Sequence, residues 1–168
     1  MTSRRAIKGF SLVEILIVVM IVGILAAIAI PKFSNASQIA RESALKDDLR
    51  LLRTQLGVYK TQHAAFPGYP AGDTDQTPTA AIAVDQLLQC SDALGNVSDT
   101  RTSLYTWGPY LDQMPKNPLN GNANIKILAP GDAFTPDDTT GWPYQPATGL
   151  IKANVAGNDG AGHAIVDY

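Results

Sequence analysis

A chain of 168 residues with one cysteine and a net charge of −2 has room for one soluble core once its most apolar stretch is set aside, and no internal disulfide. The charge is uneven: Arg4, Arg5 and Lys8 crowd the first nine residues without an acid, which leaves the remainder at −5. No stretch interleaves basic with aromatic side chains, so nucleic acid is disfavoured as a partner.

The basic leader, residues 1–9, gives way to Phe10-Ser11-Leu12-Val13-Glu14 and then to an unbroken apolar run, Ile15 to Ile30, closed by Pro31. As a helix, residues 10–30 would be about 31 Å long at about 1.5 Å per residue, enough to cross a bilayer core. The leader charges would keep the N-terminus cytoplasmic and send the rest to the far side. Glu14 is out of place there. A carboxylate in hydrocarbon costs about 2.5–3.5 kcal/mol on insertion scales, so its presence predicts a waiting counter-charge. A secretory signal peptide, with Ala27-Ile28-Ala29 as its cleavage site, explains the leader, and a plain membrane anchor explains the length. Neither gives Glu14 a reason, and the run exceeds the roughly 7–15 residues of a signal-peptide core.

Lys8-Gly9-Phe10-Ser11-Leu12-Val13-Glu14 resembles the processing site of type IV prepilins and type II secretion pseudopilins. The resemblance implies a peptidase on the cytoplasmic face that cuts between Gly9 and Phe10 and methylates the Phe10 amine. It makes Glu14 the fifth residue of the mature chain and places Pro31 just past the apolar run. The physics of such a cut is concrete. It removes three positive side chains and creates an amine of charge opposite to Glu14. Amine and carboxylate stand four residues apart, on one face of a helix. Glu14 of one subunit meeting the Phe10 amine of the next would offset much of the desolvation cost and fix the axial register of a filament. Gly9 suits a cut site because it lets a peptidase approach the backbone closely.

Pro31 lacks a backbone donor and is expected to kink the helix without ending it. Beyond it, Leu45, Leu49, Leu52, Leu56 and Tyr59 recur at spacings of four and three, one apolar stripe on an amphipathic helix. Arg41, Lys46, Asp47, Asp48, Arg50 and Arg53 flank the stripe and read as a solvated face. One helix over residues 10–62 is expected, membranous over 10–30 and amphipathic over 31–62. Phe66-Pro67-Gly68-Tyr69-Pro70 breaks it, with His63 as a residue of its C-terminal end.

Residues 63–168 must cover the leucine stripe, because a lone amphipathic helix leaves it wet. Residues 67–84 read as loop, and Val84–Leu94 as a short helix with Leu87, Leu88 and Cys90 inward. Cys90 reads as a small buried apolar residue. Leu104–Leu111 is a compact aromatic cluster. Ile125–Leu128 alternates as a strand does. Gly141–Tyr144 and Gly149–Asn154 read as a hairpin turning at Pro146–Gly149, with Pro143 pointing to an edge position. The expected class is α+β: a long N-terminal helix packed on a small C-terminal antiparallel sheet.

Tyr59-Lys60 through Phe66-Pro67-Gly68, Trp107-Gly108-Pro109-Tyr110-Leu111 with Pro115-Lys116-Asn117-Pro118, and Gly141-Trp142-Pro143-Tyr144 with Thr148-Gly149 resemble the major, G-type pseudopilin of type II secretion systems. That resemblance implies a pilin-like fold, and a periplasmic filament polymerised from copies of the chain and other pseudopilins. Its partners would be the inner membrane, a prepilin peptidase, a platform protein and a cytoplasmic ATPase. It also implies a calcium site of acidic loop residues, for which Asp137, Asp138, Asn158, Asp159 and Asp167 are the candidates. Hard oxygen ligands suit calcium, although no spacing here fixes six of them. Asn158-Asp159-Gly160 equally suits a turn.

No residue set argues for catalysis. His163 near Asp159 and Asp167 has no supported nucleophile, and the glycines of 157–162 are wrongly spaced for a dinucleotide fingerprint. The rival functions are a type IV pilus subunit and a secreted or anchored module binding a ligand through Trp107–Tyr110.

Overall fold

The computed structural model describes residues 10–168, apart from the side chains of residues 29–35. The expectations for the leader and for Gly9 lie outside the described residues, while α1 runs on through Pro31, which does not end it. The chain divides into two units at Ile39–Ala40. Helix α1, Leu12–His63, starts two residues later than expected and ends one later.

In the first unit the described side chains of α1 bury almost nothing. Phe10 is 77% exposed and Leu12 82%, and the large apolar residues from Val13 to Ile28 are all exposed. No described residue of this unit supplies a core for them. Among the described residues no helix is long and apolar enough to cross a membrane, the described apolar side chains ending at Ile28.

In the second unit the stripe is covered as its spacing demanded. Leu45, Leu49, Leu52, Leu56 and Tyr59 are fully buried, and the four leucines share a core with Leu87, Leu111, Ile125, Trp142, Tyr144 and Ile151. Burying each such side chain contributes about 1.5–3 kcal/mol, so the stripe is the main anchor of the domain.

Helix α2 is Ala80–Leu88, not Val84–Leu94. Thr79 moves its start forward: the hydroxyl accepts the Ile82 amide at 3.2 Å, an N-cap inside the segment read as loop. The chain then turns extended at Gln89, and Cys90 lies in strand β1, Cys90–Ser91, buried as read. Strand β2, Val97–Ser98, pairs antiparallel with β1. Gln86 ties these loops together. Its amide accepts from the Gly68 N–H at 2.7 Å and donates to the Tyr69 and Gly95 carbonyls at 3.0 and 2.9 Å.

The second sheet has the order β3-β4-β5, with β3 Ile125–Ile127, β4 Trp142–Gln145 and β5 Leu150–Ile151. The α+β class stands, but the sheet is mixed: β4 pairs antiparallel with β5 and parallel with β3. Residues 128–141 are a connection long enough to bring the chain back for a parallel pairing, which a tight turn cannot do. The hairpin turn falls at residues 146–149 as read, with the Thr148 and Gly149 amides donating to the Gln145 carbonyl.

Pro143 is not at an edge. It lies in the central strand, opposite Lys126. Its carbonyl accepts the Lys152 amide at 3.0 Å, so its missing N–H faces the β5 side, one residue past the end of that ladder. The cost is one bond on the β5 side, and pairing with β3 is untouched.

Candidate functional site

Two places carry the residues singled out from sequence. The first is the start of α1. Phe10 and Ser11 precede the helix, and the Glu14 and Ile15 amides donate to the Ser11 carbonyl at 3.1 and 3.2 Å. Glu14 falls in the first turn, where the helix dipole favours a carboxylate. Its side chain is exposed among exposed apolar neighbours, four residues from Phe10. On this exposed apolar stretch of α1 the acid has no partner among the described residues of the first unit.

The second place is the pair of loops holding the candidate calcium ligands. The structure does not bring the five residues together. Among the described residues no group of three or more His, Cys, Asp or Glu side chains is placed to hold a metal ion. Asp137 and Asp138 lie in the loop between β3 and β4. There the Lys126 ammonium, the Asn154 amide and Thr139 hold the Asp137 carboxyl far below the usual carboxylate range.

Asn158, Asp159 and Asp167 belong to the C-terminal segment. Asn158 pairs with Ala164, and Asp167 sits in a short 3-10 helix, Ile165–Asp167. Asp159 organises this segment. It accepts the Tyr168 hydroxyl at 2.7 Å and the His163 and Ala161 amides at 2.8 and 2.9 Å, with Lys46 at 3.9 Å. The Tyr168 hydroxyl, with those amides, holds its carboxyl far below the ordinary value. The Tyr168 phenol is pushed up to about 12 by burial and by the same carboxylate.

The sign of the Asp159 effect gives a test. A depressed carboxyl contributes stability above its unfolded pKa of about 4 and loses it as pH falls through the lower folded value. Asp159→Asn is therefore expected to lower the melting temperature of the full chain at neutral pH. The gap to the native chain should narrow steadily below about pH 4. A gap independent of pH would show that the carboxylate charge is not what matters.

Arg53 is exposed, as read, yet it also anchors the C-terminal segment. Its guanidinium donates to the carbonyls of Ile151, at 3.2 Å, and Tyr168. Lys46 lies over the Tyr168 ring at 4.1 Å. Sequence reading missed these anchors, as it missed Asn120, Asn122 and Asn154. For the first two a signal existed: four asparagines in residues 117–124 favour loops built on side-chain to backbone bonds. His63 is a buried helix-terminal residue, bonded to the Tyr59 carbonyl and the Ser91 hydroxyl, both at 3.0 Å. Trp107–Tyr110 does not form one aromatic face: Trp107 is half-exposed, while Tyr110 packs edge-on against Tyr59 and His63.

The family described as the prokaryotic N-terminal methylation motif matches residues 4–30. The type II secretion system core protein G of Vibrio cholerae is 28% identical over 82% of this chain and 81% of its own length. Its namesake in Pseudomonas aeruginosa is 36% identical over 41% of this chain, a match that spans about half of that relative. The type IV major fimbrial protein FimA of Dichelobacter nodosus is 36% identical over 55% of this chain and 69% of its own length. The chain belongs to the type IV prepilin-like family. Within that family it resembles the core protein G pseudopilins, and the helix-on-sheet architecture is that of a pilin-like fold. No solved structure matches this prepilin-like chain. The matched residues 4–30 include Gly9, Phe10 and Glu14.

Proposed function

We propose that this chain is a structural subunit of a type II secretion pseudopilus. Its chemistry is done to it: a prepilin peptidase cuts between Gly9 and Phe10 and methylates the Phe10 amine. The apolar helix then passes from the inner membrane into the filament centre, packing against copies of itself and other pseudopilins. A platform protein and a cytoplasmic ATPase drive that transfer. The observation that carries the reading is the exposed apolar stretch of α1 from Leu12 to Ile28, with one carboxylate in its first turn. In the sequence the apolar run continues to Ile30, which supports a single crossing with the leader cytoplasmic and residues 63–168 periplasmic. The reading is of an assembly subunit, not of an enzyme.

Mass spectrometry of the mature protein tests it. The expected N-terminus is N-methylated Phe10, and Gly9→Trp should leave the precursor uncut. A mature start near Ile30 would mean secretion of a released domain and would overturn the proposal. The likeness to FimA keeps a type IV pilus subunit as the second reading. Deleting the chain separates the two: loss of protein export with surface fibres intact supports the pseudopilus, and the converse supports the pilus.

A further inference from the structure

The loop between β3 and β4 carries oxygens of the kind a calcium ion takes, and those of the Asp137 carboxylate already accept hydrogen bonds, as does the Asn154 side-chain oxygen packed against it. Asp137 Oδ2 accepts the Lys126 ammonium at 2.8 Å. Asp137 Oδ1 accepts the Asn154 amide at 2.6 Å, the Thr139 hydroxyl at 2.7 Å and the Thr139 N–H at 3.1 Å. The side-chain oxygen of Asn154 accepts the Asp137 and Asp138 N–H groups at 2.8 and 3.3 Å. The main-chain oxygens follow the same rule. Asn122 donates to the Asp138 carbonyl at 3.0 Å, and Asn120 to those of Thr140 and Asn154 at 2.9 and 2.8 Å.

Calcium needs six to eight oxygens with lone pairs aimed at one point. Here the Asp137 carboxylate meets N–H groups and the Thr139 hydroxyl, and the Lys126 ammonium supplies the positive charge. The donor set does not fit the cation that the family resemblance implies. Placement explains why it fits Lys126 instead. The β3-β4 register sets Lys126 opposite Pro143, inside a paired strand, so its stem starts from a rigid base. Asn154 is 0% exposed and uses its oxygen and its amide at once. A buried amide satisfied on both sides fixes the loop that surrounds it.

We propose that Lys126 and Asn154 are a built-in replacement for a bound divalent cation, so that the 137–140 loop closes without calcium. The claim is independent of the filament reading, because its readouts are stability and exchange, not assembly. The experiment uses the mature full-length protein in detergent, stripped of metal. The native chain should melt at the same temperature in saturating calcium and in excess chelator. Lys126→Met should speed hydrogen exchange at the Asp138 and Thr139 amides by at least about tenfold, and Lys126→Arg should restore most of the protection. A native chain stabilised by calcium, or a Lys126→Met chain with unchanged exchange at those amides, would overturn the proposal. Should Lys126→Met fail to fold, the calcium comparison on the native chain still decides.

Discussion

Replacing Glu14 by alanine should cut the assembled fraction at least about tenfold while leaving membrane insertion intact or improved. The two effects have opposite signs because the carboxylate plays opposite parts in the two environments. In a membrane it would be an unpaired charge among apolar neighbours, which are uncovered in the structure. Its removal relieves a cost of about 2.5–3.5 kcal/mol. In a filament it would stand against the Phe10 amine of the adjacent subunit. Removing one partner of such a pair strands the other and costs about 3–5 kcal/mol. A glutamine at the same place keeps the shape without the charge and should assemble as poorly as alanine. The measurement is the share of mature, membrane-inserted protein recovered in sheared filaments. Normal recovery with either substitution would disprove the charge pairing, though not the cleavage.

Trp142→Ala should destabilise the soluble domain by about 3–5 kcal/mol, a large part of the 5–15 kcal/mol that holds a domain of ordinary stability. Trp142 is 0% exposed, in the middle strand of its sheet, within the core built on Leu45, Leu49, Leu52 and Leu56. Its indole N–H donates to the Pro115 carbonyl at 2.8 Å, so truncation leaves a cavity and an orphaned acceptor together. The melting temperature of the full chain should fall by roughly 10–20 °C. Trp107→Ala is the control. That ring is 39% exposed, and its loss should cost about 1 kcal/mol or less. Equal shifts for the two would place the core elsewhere than under β4.

Much of the architecture was legible because it follows from periodicity. The leucine stripe marked the buried face of α1 residue by residue, since a helix fixes which side chains share a side. Pro146–Gly149 marked its turn for a similar local reason: the chain reverses within four residues. Parallel pairing of β3 with β4 was not legible, because it depends on how residues 128–141 cross back, and nothing local encodes that path. The central position of Pro143 was hidden likewise. Sequence shows that a hydrogen bond is missing but not whether a neighbour would have supplied one. For α2, the Thr79 cap lay in a segment whose Pro and Gly content reads as loop.

The candidate residues divide the same way. Gly9, Phe10 and Glu14 stand at fixed spacing along one chain, so the amino-acid order alone was enough to single them out as candidates for processing and assembly. The acids of 137–138 and 158–167 are not, because whether an oxygen is free to take a cation depends on what faces it. That was decided by Lys126 and Asn154 beside one loop, and by Tyr168 and Lys46 beside the other. Helical periodicity and a processing motif are local properties of a chain; the saturation of a carboxylate is a property of neighbours brought in from far along it, and only folding chooses them.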